Sequence, residues 1–309
     1  MLYLSTRNRT DSFTAHKVLR STAAPDGGQF MPMQVPVLSK EELRNLQKMS
    51  FGETAAYILN LFFGTKLTGW DVDFAVGRQS VTMTGIGHKV FVAESWHNPI
   101  GIHAYLVRRL YHLACEQKQT AQEPSLWFST CVNMAVLFHM YGKHCRQGAC
   151  GFDIALQSGD LQQLLAIRYA QKMGLPFGTI ILGSTDGDGL WEFFSYGDYA
   201  TSGKKAPSGL EALIWLLFGP AQAQAYLAAV QNGAVYHLEQ LQLETLRKDM
   251  FLAVVGARRV ATVIASAFNT DHYAMERGTA CAFGALQDYR AKTGENRNTL
   301  LFAHAEGKK

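Results

Sequence analysis

Between Gly151 and Pro176 the hydrophobic pattern changes period twice. A short apolar run, Phe152 to Leu156, is interrupted only by Asp153, and a polar turn follows at Gln157, Ser158, Gly159 and Asp160. Leu161, Leu164, Leu165, Ile167 and Met173 then recur at near-helical spacing, and Gly174 and Pro176 stop the helix. A second apolar run, Thr179 to Leu182, comes at once. Strand, turn, helix and strand in this order predict two parallel strands joined by a right-handed crossover. A glycine-containing turn at a helix N-terminus is also where phosphate groups bind, because free N–H groups and the helix dipole face the anion. The plainer reading of these residues is a βαβ unit without a ligand.

The same reading extends along the chain. Met1 to Ser5 reads as a short strand, and Ser12 as the cap of a helix from Phe13 to about Leu19. Asp26-Gly27-Gly28 is a tight turn, and Pro32 and Pro36 keep the chain extended. Ser39 and Glu42 form a capping box for a helix through Met49. Phe51 to Phe63 is a second helix, ended by Gly64. A strand is expected at Val90 to Ala93, a helix from Pro99 through Leu113, a loop from Glu116 to Pro124 and an apolar helix from Trp127 to Tyr141. After the central unit, helices are expected at Gly187 to Phe194, Gly209 to Phe218, Ala221 to Gln231, Leu238 to Arg247, Arg258 to Ala267 and Tyr273 to Tyr289. Asp198 to Ser208 reads as an exposed loop and Asn298 to Ala303 as a final strand. The aromatic and methionine side chains Phe30, Met31, Met33, Trp70, Trp191 and Trp215 read as core.

Composition narrows the function classes. With 48% hydrophobic and only 17% charged residues, the 309-residue chain can bury a large core and is not disordered. A net charge of +4 without basic clusters gives no reason to expect nucleic acid. No apolar run reaches membrane-spanning length, and MLYLSTRNRT is not a signal peptide. Five cysteines without a repeating spacing suggest reduced thiols and a cytoplasmic location.

Several stretches, in collinear order, resemble threonine synthase, a pyridoxal-phosphate (PLP) enzyme of the tryptophan-synthase-β fold type. MLYLSTRN, DGGQFMP and LSKEELRNLQKMSFGETA are similar to that family's N-terminal segment. SGDLQQLLAIRYAQKMGLP is similar to its phosphate loop and following helix, PSGLEALIWLLFG to its Ser-Asn-Leu-Glu helix, and RGTACAFGALQDYRAKTG to the helix after its Asp-Pro-His-Thr-Ala motif. The resemblance implies an α/β architecture with a parallel-sheet, PLP-type large domain behind an N-terminal helical segment. The division is expected at residues 1–95 and 96–309.

The departures bear on function. The family's PLP-bearing lysine lies in a motif resembled here by Glu94 to Tyr105, in which Glu94, His97 and Pro99 match. The lysine position is Ala104, which has no nitrogen for a Schiff base. The small catalytic subdomain that carries a Ser-Gly-Asp-Thr-Gly turn is replaced by the interval from Leu113 to Leu126, so one wall of the cleft is deleted. In the phosphate loop, Asp160 and Gln162 replace an asparagine and a glycine. Asp-Pro-His-Thr-Ala has become Glu276, Arg277, Gly278, Thr279 and Ala280.

The expectation is therefore a threonine synthase-like pseudoenzyme with no catalytic residues of the family's kind and no cofactor. Ser158, Gly159, Asp160 and Thr279 would be the relic of the cofactor site, and His97, Asn98 and His103 would line the cleft. An anionic small molecule at the Ser158–Gly159 turn, self-association or a protein partner are the expected partners. The alternative is a PLP-dependent lyase converting O-phosphohomoserine to threonine through another lysine, or another activity in the opened cleft. Lys89 and Lys172 lie on elements that place them far from the site. His139, His144, Cys145 and Cys150 lack the short pair spacing of a metal site, and Asp186 and Asp188 read as a turn, so no metal is expected.

Overall fold

The computed structural model describes all residues except 9, 117–121, 146–150, 186–188, 202–205, 306 and 308–309. The chain opens with Leu2–Ser5 (β1), Ser12–Thr14 (β2), Ala15–Leu19 (α1) and Phe30–Pro32 (β3). The three strands form an antiparallel sheet in the order β2-β1-β3. Residues 12–14 are strand rather than the start of a helix because Phe13 is buried between exposed Ser12 and Thr14, a period of two. Thr14, not Ser12, caps α1, accepting from the Lys17 N–H. The Asp26–Gly28 turn forms as expected, with Gly27 at φ +76° and the Asp26 carboxylate accepting from Ser5 Oγ at 2.8 Å and Gly28 N at 2.9 Å. A Cβ on Gly28 would lie 2.2 Å from Ser5 Oγ.

Helices Lys40–Leu46 (α2), Phe51–Phe63 (α3) and Gly69–Val76 (α4) follow. The expected capping box is present at Ser39 and Glu42, and the same device starts α3 with Ser50 and Glu53 and α4 with Thr68 and Asp71. Phe30 and Met31 are core, as read from the sequence. Met33 and Trp70 are not: Trp70 is 66% exposed on α4, where it stacks on Phe74 at 5.3 Å.

The remainder is an α/β body. Its elements are Thr82–Ile86 (β4), Val90–Glu94 (β5), His103–Ala114 (α5), Leu126–Cys145 (α6), Phe152–Gln157 (β6), Leu161–Lys172 (α7), Phe177–Ser184 (β7), Gly189–Tyr196 (α8), Asp198–Tyr199 (β8), Ser208–Phe218 (α9), Pro220–Gln231 (α10), Tyr236–His237 (β9), Gln240–Arg247 (α11), Met250–Val254 (β10), Ala257–Asp271 (α12), Arg277–Thr293 (α13) and Thr299–Ala303 (β11). A six-stranded sheet runs β10-β7-β6-β11-β5-β4, parallel except for the β4 edge. Strands β8 and β9 pair separately. The unit β6–α7–β7 forms as the pattern predicts, with β6 and β7 parallel neighbours.

Alternate strand residues serve two cores, as a period-two strand buried on both faces must. Ile154, Leu156, Ile180, Leu182 and Leu300 face the core built with α3, α6 and α7, while Ala155, Ile181 and Leu301 face the one built with α12 and α13. Helix α6 is apolar on every side and buried through most of its length, with Phe128, Val132, Leu137 and Met140 at 0% exposure. Only residues 115–125 separate α5 from α6. Among the described residues, no helix is long and apolar enough to cross a membrane.

Two helix starts in this body depart from the sequence reading, and two strands were not read at all. Helix α5 starts at His103, not Pro99, because Asn98 folds residues 98–101 into a turn: its Oδ1 accepts from Ile100 N and Gly101 N, and Gly101 sits at φ +73°. Helix α13 starts at Arg277, not Tyr273, since Glu276 is extended. The edge strands β4 and β10 carry no clean alternation, and the sequence reading did not resolve them.

Candidate functional site

In a parallel sheet the ligand edge is the one at the carboxyl ends of the strands, near the point where chain connections diverge. Here β7 follows β6 to one side and β11 lies on the other. The turn after β6 carries Ser158, Gly159 and Asp160, and β11 ends one residue before His304.

Asp160 is the N-cap of α7. Its Oδ1 accepts from Gln163 N at 3.2 Å, and its Oδ2 lies 2.5 Å from His304 Nε2. The carboxylate thus takes up a free N–H of the helix N-terminus. Around this pair a cavity of about 320 Å³ is lined by Leu156, Gln157, Gly159, Glu276, Gly278, Ala282 and Phe302. Glu276 Oε1 accepts from the His304 backbone N–H at 3.3 Å and lies 3.1 Å from the Thr279 hydroxyl, which is also 2.8 Å from Phe302 O. Of the four positions expected from the sequence, Asp160 and Thr279 are joined through Glu276 and His304. Ser158 is buried, its N–H donating to Gly183 O at 2.8 Å, and Gly159 faces open space.

His103 closes the far side. Its ring packs on His304 with centroids 5.1 Å apart, and its backbone N–H donates to His304 O at 2.6 Å. Both ring nitrogens are shielded from solvent and neither completes a hydrogen bond, the Asn133 side chain being the polar group that faces the ring.

The charges follow from this arrangement. Burial pushes the Asp160 carboxyl up, but the His304 imidazolium and the Gln163 N–H outweigh it, and the net shift is downward. Burial pushes His304 down, and the Asp160 and Glu276 carboxylates more than reverse it. Burial and the neighbouring His304 charge drive His103 down to about 3, so it is neutral. The centre is an Asp160–His304 ion pair backed by a neutral imidazole.

Ala104 lies on the other side of His103. It lines a second cavity of about 620 Å³ with Ile100, Ile102, Tyr105, Val107 and Gln162. It shares the lining residues Pro124, Ser129 and Gln162 with a third, of about 970 Å³, bordered by the N-terminal segment at Arg7 and Gln29. Arg7 is held there by Glu211 of α9, with Nε 3.2 Å from Oε1 and Nη2 3.0 Å from Oε2.

No described residue lining these three cavities is a lysine. Lys89 sits at the amino end of β5, about 16 Å along the strand from the ligand edge, and donates to Asn296 O. Lys172 ends α7, about 18 Å from its N-terminus. On the correspondence that the resemblance implies, the phosphate of PLP would meet the Asp160 carboxylate at the α7 N-terminus, and its aldehyde would meet Ala104, which has no nitrogen. The residues present do not fit that cofactor.

The other expected cleft residues fall elsewhere. Asn98 serves the turn before α5. His97 stacks on Trp96 at 4.1 Å, and its Nε2 lies 2.9 Å from Glu94 Oε2 and 2.8 Å from Thr82 Oγ1. The Thr82 and Thr84 hydroxyls also donate to that oxygen. Burial raises the Glu94 carboxyl, and these hydrogen bonds lower it further than burial raises it. His139 packs on Phe51, and His144 packs between Phe91 and Phe152 with Nε2 3.2 Å from Asn298 Nδ2. Among the described residues no three His, Cys, Asp or Glu side chains could hold a metal ion. Asp186, Asp188 and Cys150 lie outside the described residues, as does the Cys145 side chain.

The residue missed in the sequence was His304. Its signal was positional: it directly follows a strand that the pattern had identified, and the carboxyl end of a parallel strand is the ligand edge.

Comparison with known proteins bears on this geometry. Residues 2–77 match the family model of the threonine synthase N terminus. Threonine synthase-like 2 of Rattus norvegicus is 37% identical over 67 residues, which are 22% of this chain and 14% of that protein. The structure of threonine synthase from yeast superposes with a TM-score of 0.81 at 16% identity, covering 98% of this chain and 87% of that one. PLP-bound threonine synthase from Brucella melitensis gives 0.80 at 16% identity, covering 99% and 89%. The enzyme from Escherichia coli gives 0.70 at 13% identity, covering 99% and 88%. The chain is threonine synthase-like at its N-terminus and has the fold of that enzyme throughout.

Proposed function

We propose that this chain is a non-catalytic threonine synthase-like protein that binds a ligand or partner at the cleft and does not carry PLP. The observation that carries the reading is Ala104 at the cleft wall, with no lysine among the described residues that line the cavities. Without an amine to hold the cofactor, the electron sink that makes the lyase reaction feasible has no anchor. The Asp160 carboxylate supports the same reading, since it repels a phosphate dianion at the helix N-terminus. It weighs equally against any other anion at the Ser158–Gly159 turn.

The test is incubation with PLP followed by absorbance spectroscopy and borohydride reduction. The expected result is no stoichiometric adduct. A stable adduct mapped to a single lysine overturns the reading and revives the alternative, a PLP-dependent lyase acting on O-phosphohomoserine through a relocated lysine.

A further inference from the structure

The His304 side chain behaves as a ligand of its own protein. The backbone on both sides of it is held by other elements. His304 N–H reaches Glu276, His304 O receives the His103 N–H, and Ala305 forms an antiparallel bridge with Ile102. The ring is thereby delivered to Asp160 from outside the β6–α7 unit. The His103 and His304 rings form the partition between the 320 Å³ cavity, which His304 lines, and the 620 Å³ cavity, which His103 lines. His304 Nδ1 is shielded from solvent and makes no hydrogen bond.

Asp160 Oδ2 receives the ring, and the same cavity is lined by two further acceptors, the Glu276 carboxylate, which takes the His304 backbone N–H, and the Gln157 side chain. The nearby walls are apolar, from Leu156, Ala282 and Phe302, and Gly159 has open space beside it. Such a site selects a compact cation with a flat apolar body and disfavours an anion.

We propose that the crevice at the carboxyl ends of β6 and β11 is a binding site for a small planar organic cation, such as an imidazolium or amidinium, and that His304 is its built-in occupant. With the His304 ring removed, an external cation would pair with Asp160 and lie against the neutral His103 ring. This rests on the PLP-free reading, because a cofactor phosphate and a cation cannot both be served by Asp160, and it describes a site that the unaltered protein keeps filled with its own side chain.

The experiment is cavity complementation. His304→Ala empties the site, and imidazole at neutral pH is the probe, with sodium phosphate as the anionic control and unaltered protein as reference. The expected result is saturable binding of imidazole by His304→Ala, read by calorimetry and by a rise in Tm that the unaltered protein does not show. In His304→Ala/Asp160→Asn, where asparagine keeps the helix cap, affinity should fall about tenfold or more, the cost of losing a hydrogen bond to a charged group.

If His304→Ala does not fold alone, imidazole should recover soluble protein during refolding. Absence of both binding and recovery overturns the proposal, as does stabilisation by phosphate equal to that by imidazole. The two ideas fail separately. A stoichiometric PLP adduct removes the PLP-free reading whatever imidazole does, whereas no adduct and no imidazole binding removes only the cation site.

Discussion

The Tyr3 hydroxyl donates to the Phe62 carbonyl at 2.6 Å while accepting from Trp127 Nε1 at 3.3 Å. One oxygen therefore joins the N-terminal sheet to the end of α3 and to the start of α6. Burial drives the phenol well above its ordinary pKa, so it is a neutral donor at every working pH. Tyr3→Phe leaves a buried carbonyl and a buried indole N–H unpaired. The expected loss is about 1–3 kcal/mol, read as a lower denaturation midpoint with an unchanged m-value.

The ion pair between Asp160 and His304 has a pH signature. Asp160 is depressed, so its contribution is complete above the unfolded value of about 3.9 and fades as pH falls through the folded one. His304 is raised, so its contribution is complete below about 6.5 and fades as pH rises through its folded value. Stability due to the pair should peak between these limits. Asp160→Asn should flatten both limbs in a series of denaturation curves from pH 3 to pH 9, and an unchanged alkaline limb would show that His304 does not depend on Asp160.

Glu94 is 5% exposed and receives hydrogen bonds from Thr82, Thr84 and His97. Glu94→Ala removes the acceptor that these three share at the end of the β4–β5 hairpin. A loss of about 2–3 kcal/mol is expected from chemical denaturation, with Glu94→Gln recovering part of it. Because the Glu94 carboxyl is held below its usual range, the difference between wild type and Glu94→Gln should shrink as pH falls through that depressed value.

Two glycines in the same sheet should respond oppositely to alanine. A Cβ on Gly183 of β7 would lie 2.6 Å from the backbone oxygen of Cys281, so α13 would have to lift off the sheet. A cost of about 1–3 kcal/mol is expected. Gly85 on β4 has nothing within 4 Å of the same position, and alanine there should be neutral or slightly stabilising. Thermal unfolding of the two variants side by side checks the contrast.

The sequence made local periodicity legible and long-range pairing obscure. The β6–α7–β7 unit was readable because strand, turn, helix and stop signals lie within 30 consecutive residues. The capping box at Ser39 was readable for the same reason. Strands β4 and β10 were not, because edge strands are stabilised by a neighbour, Glu94 to Val90 for β4 and Ile180 to Ser184 for β7 beside β10, rather than by their own alternation. The site divides in the same way. Asp160 was visible as part of the turn before the helix and as a departure from the family's loop, whereas its partner His304 lies 144 residues away and has no motif of its own. Ala104 was legible only through the resemblance, since an exposed alanine on a helix carries no signal by itself.

Strand β11 is the latest in sequence of the six that form the sheet, yet it lies in the middle of it, with β6 on one side and β5 on the other. During synthesis, β5 and β6 emerge long before the strand that must join them. Until residue 303 clears the ribosome, each presents an open hydrogen-bonding edge flanked by apolar side chains, the condition that invites misassembly. The sheet is thus completed by its latest strand, inserted between two earlier ones. A chain truncated before Thr299 would lose a central strand as well as His304.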